Sequence, residues 1–342
     1  MCPAKFAGLK KGKQNSLENS LFTQRKILSV NEMRLFCGDT TVFIAPETEK
    51  PSRLLGFQLK SIAIGGETCM KTMRDCFWLW GENIGTHHMK DNGIDNPFNL
   101  PGENHMSPEE GLRYLDIPNM FRVVFQGLPA KPYDDEMLKL KDVNQVVWSI
   151  CDYPNNGRVE DPDDDVAKVI RQAKKYSNIT GVIMDDFFTN DYHFVKYKPE
   201  DLRRFKDALR AVDRDLKMWV VIYTRDFHLP VRPYLEIIDN ITMWNWHGEM
   251  LDDLENHLKT LKGLGGQDKE YYAGCFPWDY GNARPLSRDR MLYQLDTYYK
   301  WMKNGDVKGM VFCSNTIADL GIENFELMRQ WIKNVGDEVV PE

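Results

Sequence analysis

Eight short, nearly continuous apolar runs recur along the chain between longer amphipathic stretches, and that alternation limits the folds open to it. The runs are Cys76–Trp80, Phe121–Phe125, Val146–Ile150, Thr180–Met184, Met218–Tyr223, Ile241–Trp246, Tyr271–Phe276 and Lys308–Cys313. Strands buried on both faces read this way, whereas a strand with one wet face alternates. The stretches between them carry helix signals. Ser107-Pro108-Glu109-Glu110 has the form of a capping box with proline at the first helical position. Val166, Ile170, Ala173 and Ser177 fall about one turn apart, with Val169 and Tyr176 widening the stripe, and Met291, Leu295, Tyr298 and Met302 repeat the spacing. Pro199 opens a further helix before Asp201–Val212, and Phe325, Met328 and Ile332 form the last stripe. Strand–helix alternation implies parallel strands joined by crossover helices. Eight such units in about 265 residues have the count and length of a closed (β/α)8 TIM barrel, an α/β fold. The competitor is an open doubly wound sheet, but the chain has no GxGxxG phosphate fingerprint.

The barrel is expected over residues 75–336, followed by a tail at 337–342. Residues 33–74 hold short β-prone runs broken by turn residues, and read as a short β-rich N-terminal extension. Residues 1–32 are basic without an apolar core segment, which reads as a leader rather than a secretory signal and favours a cytoplasmic location. No stretch approaches the roughly 20 apolar residues of a membrane helix. A net charge of −7 argues against sequence-independent nucleic-acid binding. Seven cysteines with no CxxC pair fit neither a disulfide framework nor a zinc knuckle, and read as reduced, buried thiols.

Barrel enzymes build their sites from strand C-termini and the loops that follow. Polar, reactive and aromatic residues accumulate there in this chain. The first strand runs into Glu82 and a long loop with His87, His88 and His105; the fourth ends in Asp185-Asp186, with His193 close behind. The fifth ends in Tyr223-Thr224-Arg225 before His228, the sixth in Trp244-Asn245-Trp246-His247, the seventh in Trp278-Asp279-Tyr280 and the eighth in Ser314-Asn315. All histidines except His257 fall in such segments. A carboxylate where a buried strand meets a loop costs several kcal/mol unless paired, so the adjacent aspartates ask for a reason. Strand alternation lets only one of them face the barrel axis. Asp185 shares parity with Gly181, a small residue of the kind that lines a crowded interior, yet both stay candidates for acid/base or nucleophilic work. Asp279 or Glu82 could supply a second carboxylate. Trp80, Trp244, Trp246 and Trp278 at the mouth can offer flat faces to the C–H faces of sugar rings, while His87, His88, Tyr223, Arg225, His247 and Asn315 can bind hydroxyls or orient a carboxylate.

The run Gly-Val-Ile-Met-Asp-Asp-Phe-Phe at 181–188, with tryptophans on strands six and seven, resembles the strand-4 region of glycoside-hydrolase-like (β/α)8 barrels. The resemblance covers roughly residues 75–335 and implies that an acidic residue at the fourth strand end is the proton donor. The chitinase-type Asp-x-x-Asp-x-Asp-x-Glu run is absent, as are the strand-4 Asn-Glu and strand-7 Glu of the large retaining clan. What carries over is therefore confined to Asp185 and Asp186. The leading expectation is a carbohydrate-active enzyme hydrolysing glycosidic bonds through carboxylates, with a polyhydroxylated small molecule as partner and no cofactor. The first alternative is a metal-dependent sugar isomerase, aldolase or hydrolase, with a divalent metal among His87, His88, Asp185, His193, His228 and His247, although no HExxH-type motif supports it. The second is a glycan-binding barrel without catalysis. Neither a Walker A run nor a dinucleotide fingerprint points to a nucleotide.

Overall fold

A computed structural model describes residues 70–91, 93–151, 161–188 and 196–341, and the backbone of 36–37 and 40–41. The chain divides into two compact units, Met1–Gly66 and Glu67–Glu342. In the first, Phe36–Cys37 and Thr40–Thr41 form an antiparallel ladder. The remaining β-prone runs before residue 67, and the leader, lie outside the described residues. The second unit is a closed barrel of eight parallel strands. They are β1 (Phe77–Gly81), β2 (Asn119–Arg122), β3 (Gln145–Cys151), β4 (Ile179–Met184), β5 (Lys217–Tyr223), β6 (Asn240–Trp244), β7 (Glu270–Cys275) and β8 (Gly309–Cys313). A helix follows each: α1 (Pro108–Leu115), α2 (Asp134–Lys139), α3 (Pro162–Lys175), α4 (Pro199–Leu209), α5 (Arg232–Leu235), α6 (Leu254–Gly265), α7 (Arg288–Lys303) and α8 (Glu323–Val335).

All eight apolar runs coincide with strands, shifted by two residues at most at the start. The largest shift is in β2, which begins at Asn119, paired with Trp78 and Gln145 in the ladder, and whose side chain also donates to the carbonyls of Asp75 and Phe77 at 2.9 and 3.0 Å. Its other end falls at Arg122, so Val123–Phe125 belong to the following loop. The capping box forms as the residues imply: Ser107 accepts the Glu110 amide at 3.3 Å, and the Glu110 carboxylate accepts the Ser107 amide at 2.9 Å. The end of the chain is tied back to the start of the barrel, where Val339 bridges Thr72 in antiparallel fashion.

Aromatic rings fill the barrel. Trp78 of β1, Phe121 of β2, Trp219 of β5 and Tyr272 of β7 meet across it at centroid distances from 4.5 to 6.5 Å. Toward the C-terminal ends, Trp80 packs on Trp244 at 5.5 Å and Trp244 on Phe276 at 4.6 Å. So many rings fit only where neighbouring positions are small. A Cβ on Gly274 would lie 2.0 Å from the Trp244 ring. Gly274→Ala is expected to destabilise the barrel by about 1–3 kcal/mol, as overpacking does, and to shift the tryptophan emission. Denaturant unfolding followed by fluorescence measures both; an unchanged midpoint and spectrum would mean that Trp244 is not held where it lies.

Candidate active site

At the C-terminal face, side chains from seven strand ends and their loops surround a cavity that opens to solvent. Glu82, Asp185 and Asp186 contribute three carboxylates to its wall, and the rings of Trp80, Trp244, Trp246, Tyr223 and His87 stand around them. No lysine or arginine lines it among the described residues.

Both aspartates reach this cavity, which corrects the expectation that only one could. The strand ends at Met184, and Asp186 adopts a left-handed backbone with φ of 47°. Pleat alternation therefore stops before the pair, and the turn brings the second carboxylate round to the side of the first. Tyr223, from the end of β5, donates its hydroxyl to Asp186 Oδ1 at 2.8 Å. Burial, then the charges of Asp186 and Asp185, pushes the Tyr223 phenol well above its ordinary value. It stays a neutral donor through the range where an exposed tyrosine ionises. Tyr223→Phe is expected to cost about 10–100-fold in turnover, with a ratio to wild type that stays constant from about pH 6 to about pH 10. Rates that converge above about pH 9 would show that the hydroxyl ionises there and the bond is lost.

Glu82 is 3% exposed and begins the loop after β1. His87 Nε2 approaches its Oε2 at 2.8 Å. His87 Nδ1 lies 3.0 Å from the Tyr280 hydroxyl and 2.8 Å from that of Thr316. Tyr280 stacks on Trp246 at 5.7 Å and meets Phe98 edge-on at 5.0 Å.

Several residues picked out by the sequence do not line the cavity but hold those that do. Asp279, expected as a possible catalytic carboxylate, is spent on its own loop. It accepts the Gly248 amide at 3.0 Å, the Asn282 side chain at 3.0 Å and Arg284 Nε at 3.1 Å. Burial alone would raise its carboxyl, but those donors outweigh it and the net displacement is downward. Arg225 lies over the rings of Tyr223 and Trp246 at 4.8 and 4.9 Å. Trp278 donates its indole N–H to the Phe98 carbonyl at 3.0 Å. Asn315 brackets the Glu82 backbone, and His247 stands beside Glu249 at 4.0 Å. His88 is off the wall, with neither ring nitrogen hydrogen-bonded to a described residue.

Among the described residues, those of the metal alternative do not gather into one cluster. His228 Nδ1 sits 2.8 Å from the Arg225 carbonyl, His87 is engaged with Glu82, and His193 lies outside the described residues. Among the described residues one group of three metal-type ligands gathers, His247, Glu249 and Asp279, with ligand atoms within 4.8 Å of one another. It lacks Asp185, and Arg284 already supplies a cation there, 3.1 Å from Asp279 and 4.0 Å from Glu249.

Phe98, Phe125, Val221, Phe276, Tyr280 and Cys313 also line the cavity and were not among the sequence candidates. Phe276 and Tyr280 flank Trp278 in a segment the sequence did flag, so ring content at that strand end was the available signal. Phe98 sits mid-loop, and nothing local marks it.

No family model matches the chain, and no curated protein matches it. Solved structures with a similar fold include the GH99 endo-alpha-mannosidase from Bacteroides thetaiotaomicron, with a TM-score of 0.48 and 10% identity over 77% of this chain and 98% of that one. A glucosidase from Croceicoccus marinus has a TM-score of 0.46 and 12% identity over 76% of this chain and 66% of that one. A Schiff base forming fructose-1,6-bisphosphate aldolase has a TM-score of 0.40 and 13% identity over 66% of this chain and 81% of that one.

Proposed function

We propose that the protein is a carbohydrate-active enzyme that hydrolyses glycosidic bonds in the cavity at the barrel mouth. One observation carries the reading: three carboxylates, Glu82, Asp185 and Asp186, share an aromatic-walled cavity with no lysine or arginine on its described wall. Glycoside hydrolysis needs an acid to protonate the leaving oxygen and a second carboxylate to attack the anomeric carbon or activate water. The chemistry asks one of the two adjacent carboxylates in the cavity to carry the proton that goes to the leaving oxygen. Tyr223 donates to Asp186 and favours its charged form, and the reading gives the proton-donor role to Asp185. Glu82 is the base or nucleophile. As the C–O bond breaks, the Asp185 proton goes to the departing oxygen. The anomeric carbon is taken either by Glu82, forming an ester that water later cleaves, or by water whose proton passes to Glu82. Trp80, Trp244 and Trp246 give the sugar its apolar platform.

A panel of aryl glycosides and plain oligosaccharides, followed by ¹H NMR, tests the proposal. Released reducing sugar is the expected result, with the first anomer formed reporting retention or inversion. Tight saccharide binding without any cleavage would move the protein to the glycan-binding class.

A further inference from the structure

Glu82 is oriented with unusual completeness for a residue at a loop start. Asn315, wholly buried, accepts the Glu82 amide at Oδ1 and donates from Nδ2 to the Glu82 carbonyl, both at 2.9 Å. On the other side Arg122 donates to the Gly81 carbonyl at 3.1 Å and to the Asn83 side chain. The carboxylate so held has an oxygen, Oε2, that is buried and makes no aligned hydrogen bond among the described residues, although His87 Nε2 stands 2.8 Å from it. A lone pair on that nitrogen would face a carboxylate oxygen at contact distance and repel it; a proton there relieves the burial of the charge.

The far side of the imidazole points the same way. Nδ1 faces two hydroxyls, Tyr280 and Thr316, and Thr316 in turn meets the Ser314 hydroxyl at 2.5 Å. Burial first, then neighbouring Cys313 and Glu82, raises the Tyr280 phenol well above its ordinary value, so it remains an O–H donor. Burial and Glu82 raise the Cys313 thiol likewise, and it lies 3.6 Å from the Tyr280 oxygen. With the Tyr280 O–H donating to Nδ1, the ring proton is on Nε2, toward Glu82. Phe98 closes the imidazole edge-on at 5.8 Å.

We propose that Glu82 and His87 form a hydrogen-bonded dyad on the cavity wall. In it His87 is a positioning residue, its tautomer fixed by Tyr280 and Thr316, that donates from Nε2 toward Glu82 and keeps it aimed into the cavity. The use of the dyad in catalysis rests on the glycosidase reading above. Long-range ¹H–¹⁵N NMR of the histidines in the full chain tests it, with His87 identified by the signals lost in His87→Gln. At about pH 8, where a histidine is ordinarily neutral, His87 is expected as the Nε2–H tautomer, and Glu82→Leu is expected to mix in the other one. A wild-type Nδ1–H tautomer would put the proton on Glu82 instead and overturn the proposal. On a cleaved saccharide, His87→Ala is expected to lower kcat about 100-fold with KM within about 3-fold, and His87→Gln to recover about 10-fold through its amide N–H. An unaltered kcat in His87→Ala would overturn the positioning role. A wild type that cleaves nothing would sink the glycosidase reading only, since the tautomer still decides the dyad.

Discussion

Asp185→Asn is expected to lower kcat by about 1,000-fold on unactivated glycosides, within the range that a positioned general acid contributes. The amide keeps the size and hydrogen-bonding reach of the carboxyl but has no acidic proton to give. The loss should therefore depend on the leaving group. With a dinitrophenyl aglycone, which departs without protonation, the same variant should fall short of wild type by about 10-fold or less. Glu82→Gln should be impaired by about 1,000-fold or more on both substrates, because attack on the anomeric carbon or activation of water is needed whatever departs. Steady-state rates for the two variants on the two substrate types form a four-way comparison. An Asp185→Asn enzyme within about 10-fold of wild type on a plain oligosaccharide would remove Asp185 from the proton-donor role. An equal loss on both substrates would make it a structural or charge-stabilising group instead.

Arg122→Met is expected to be the most damaging substitution away from the cavity wall. Arg122 is 1% exposed, and its Nε pairs with Glu136 at 2.8 Å under the mouth of the barrel. Its Nη1 donates to the Val123 carbonyl at 2.8 Å as well as to Gly81. Removing the cation leaves Glu136, itself 8% exposed, with Lys139 at 3.0 Å as its remaining charge partner. Breaking a buried pair by deleting one member costs about 3–5 kcal/mol. At about 2–4 °C per kcal/mol for a domain of this size, the melting temperature should fall by about 10 °C. Replacing both partners, with Arg122→Met and Glu136→Leu together, should recover part of that loss because no orphaned charge remains. Calorimetry on the single and double variants reads the effect. A single variant that melts within about 2 °C of wild type would mean that solvent already reaches the pair.

The barrel was legible because its strands are buried on both faces: eight apolar runs could hardly be anything else at that spacing. The rim was legible for a related reason, since polar residues at strand ends have no place in the core. Glu82, Asp185 and Asp186 could all be found this way. What parity could not give was the turn at Asp186, whose left-handed backbone lies beyond the last pleat and overrides it. Asp279 misled because a carboxylate pinning a loop and one meeting a ligand look alike until its donors, Gly248, Asn282 and Arg284, are seen. Arg225, Trp278 and Asn315 were drawn to the right neighbourhood but one layer too far forward. Each contacts a residue that lines the cavity. Phe98 was invisible, because a ring in a long loop carries no period, and only Trp278 and Tyr280 across the mouth show why it is there.

The most direct measurement is hydrolysis of an oligosaccharide panel by wild type beside Glu82→Gln and Asp185→Asn, with folding of all three checked by melting. The account predicts that wild type releases reducing sugar from at least one saccharide and that both folded variants lose that activity by about 1,000-fold. Cleavage that survives in both would contradict it, because the bond would then be broken somewhere other than this cavity.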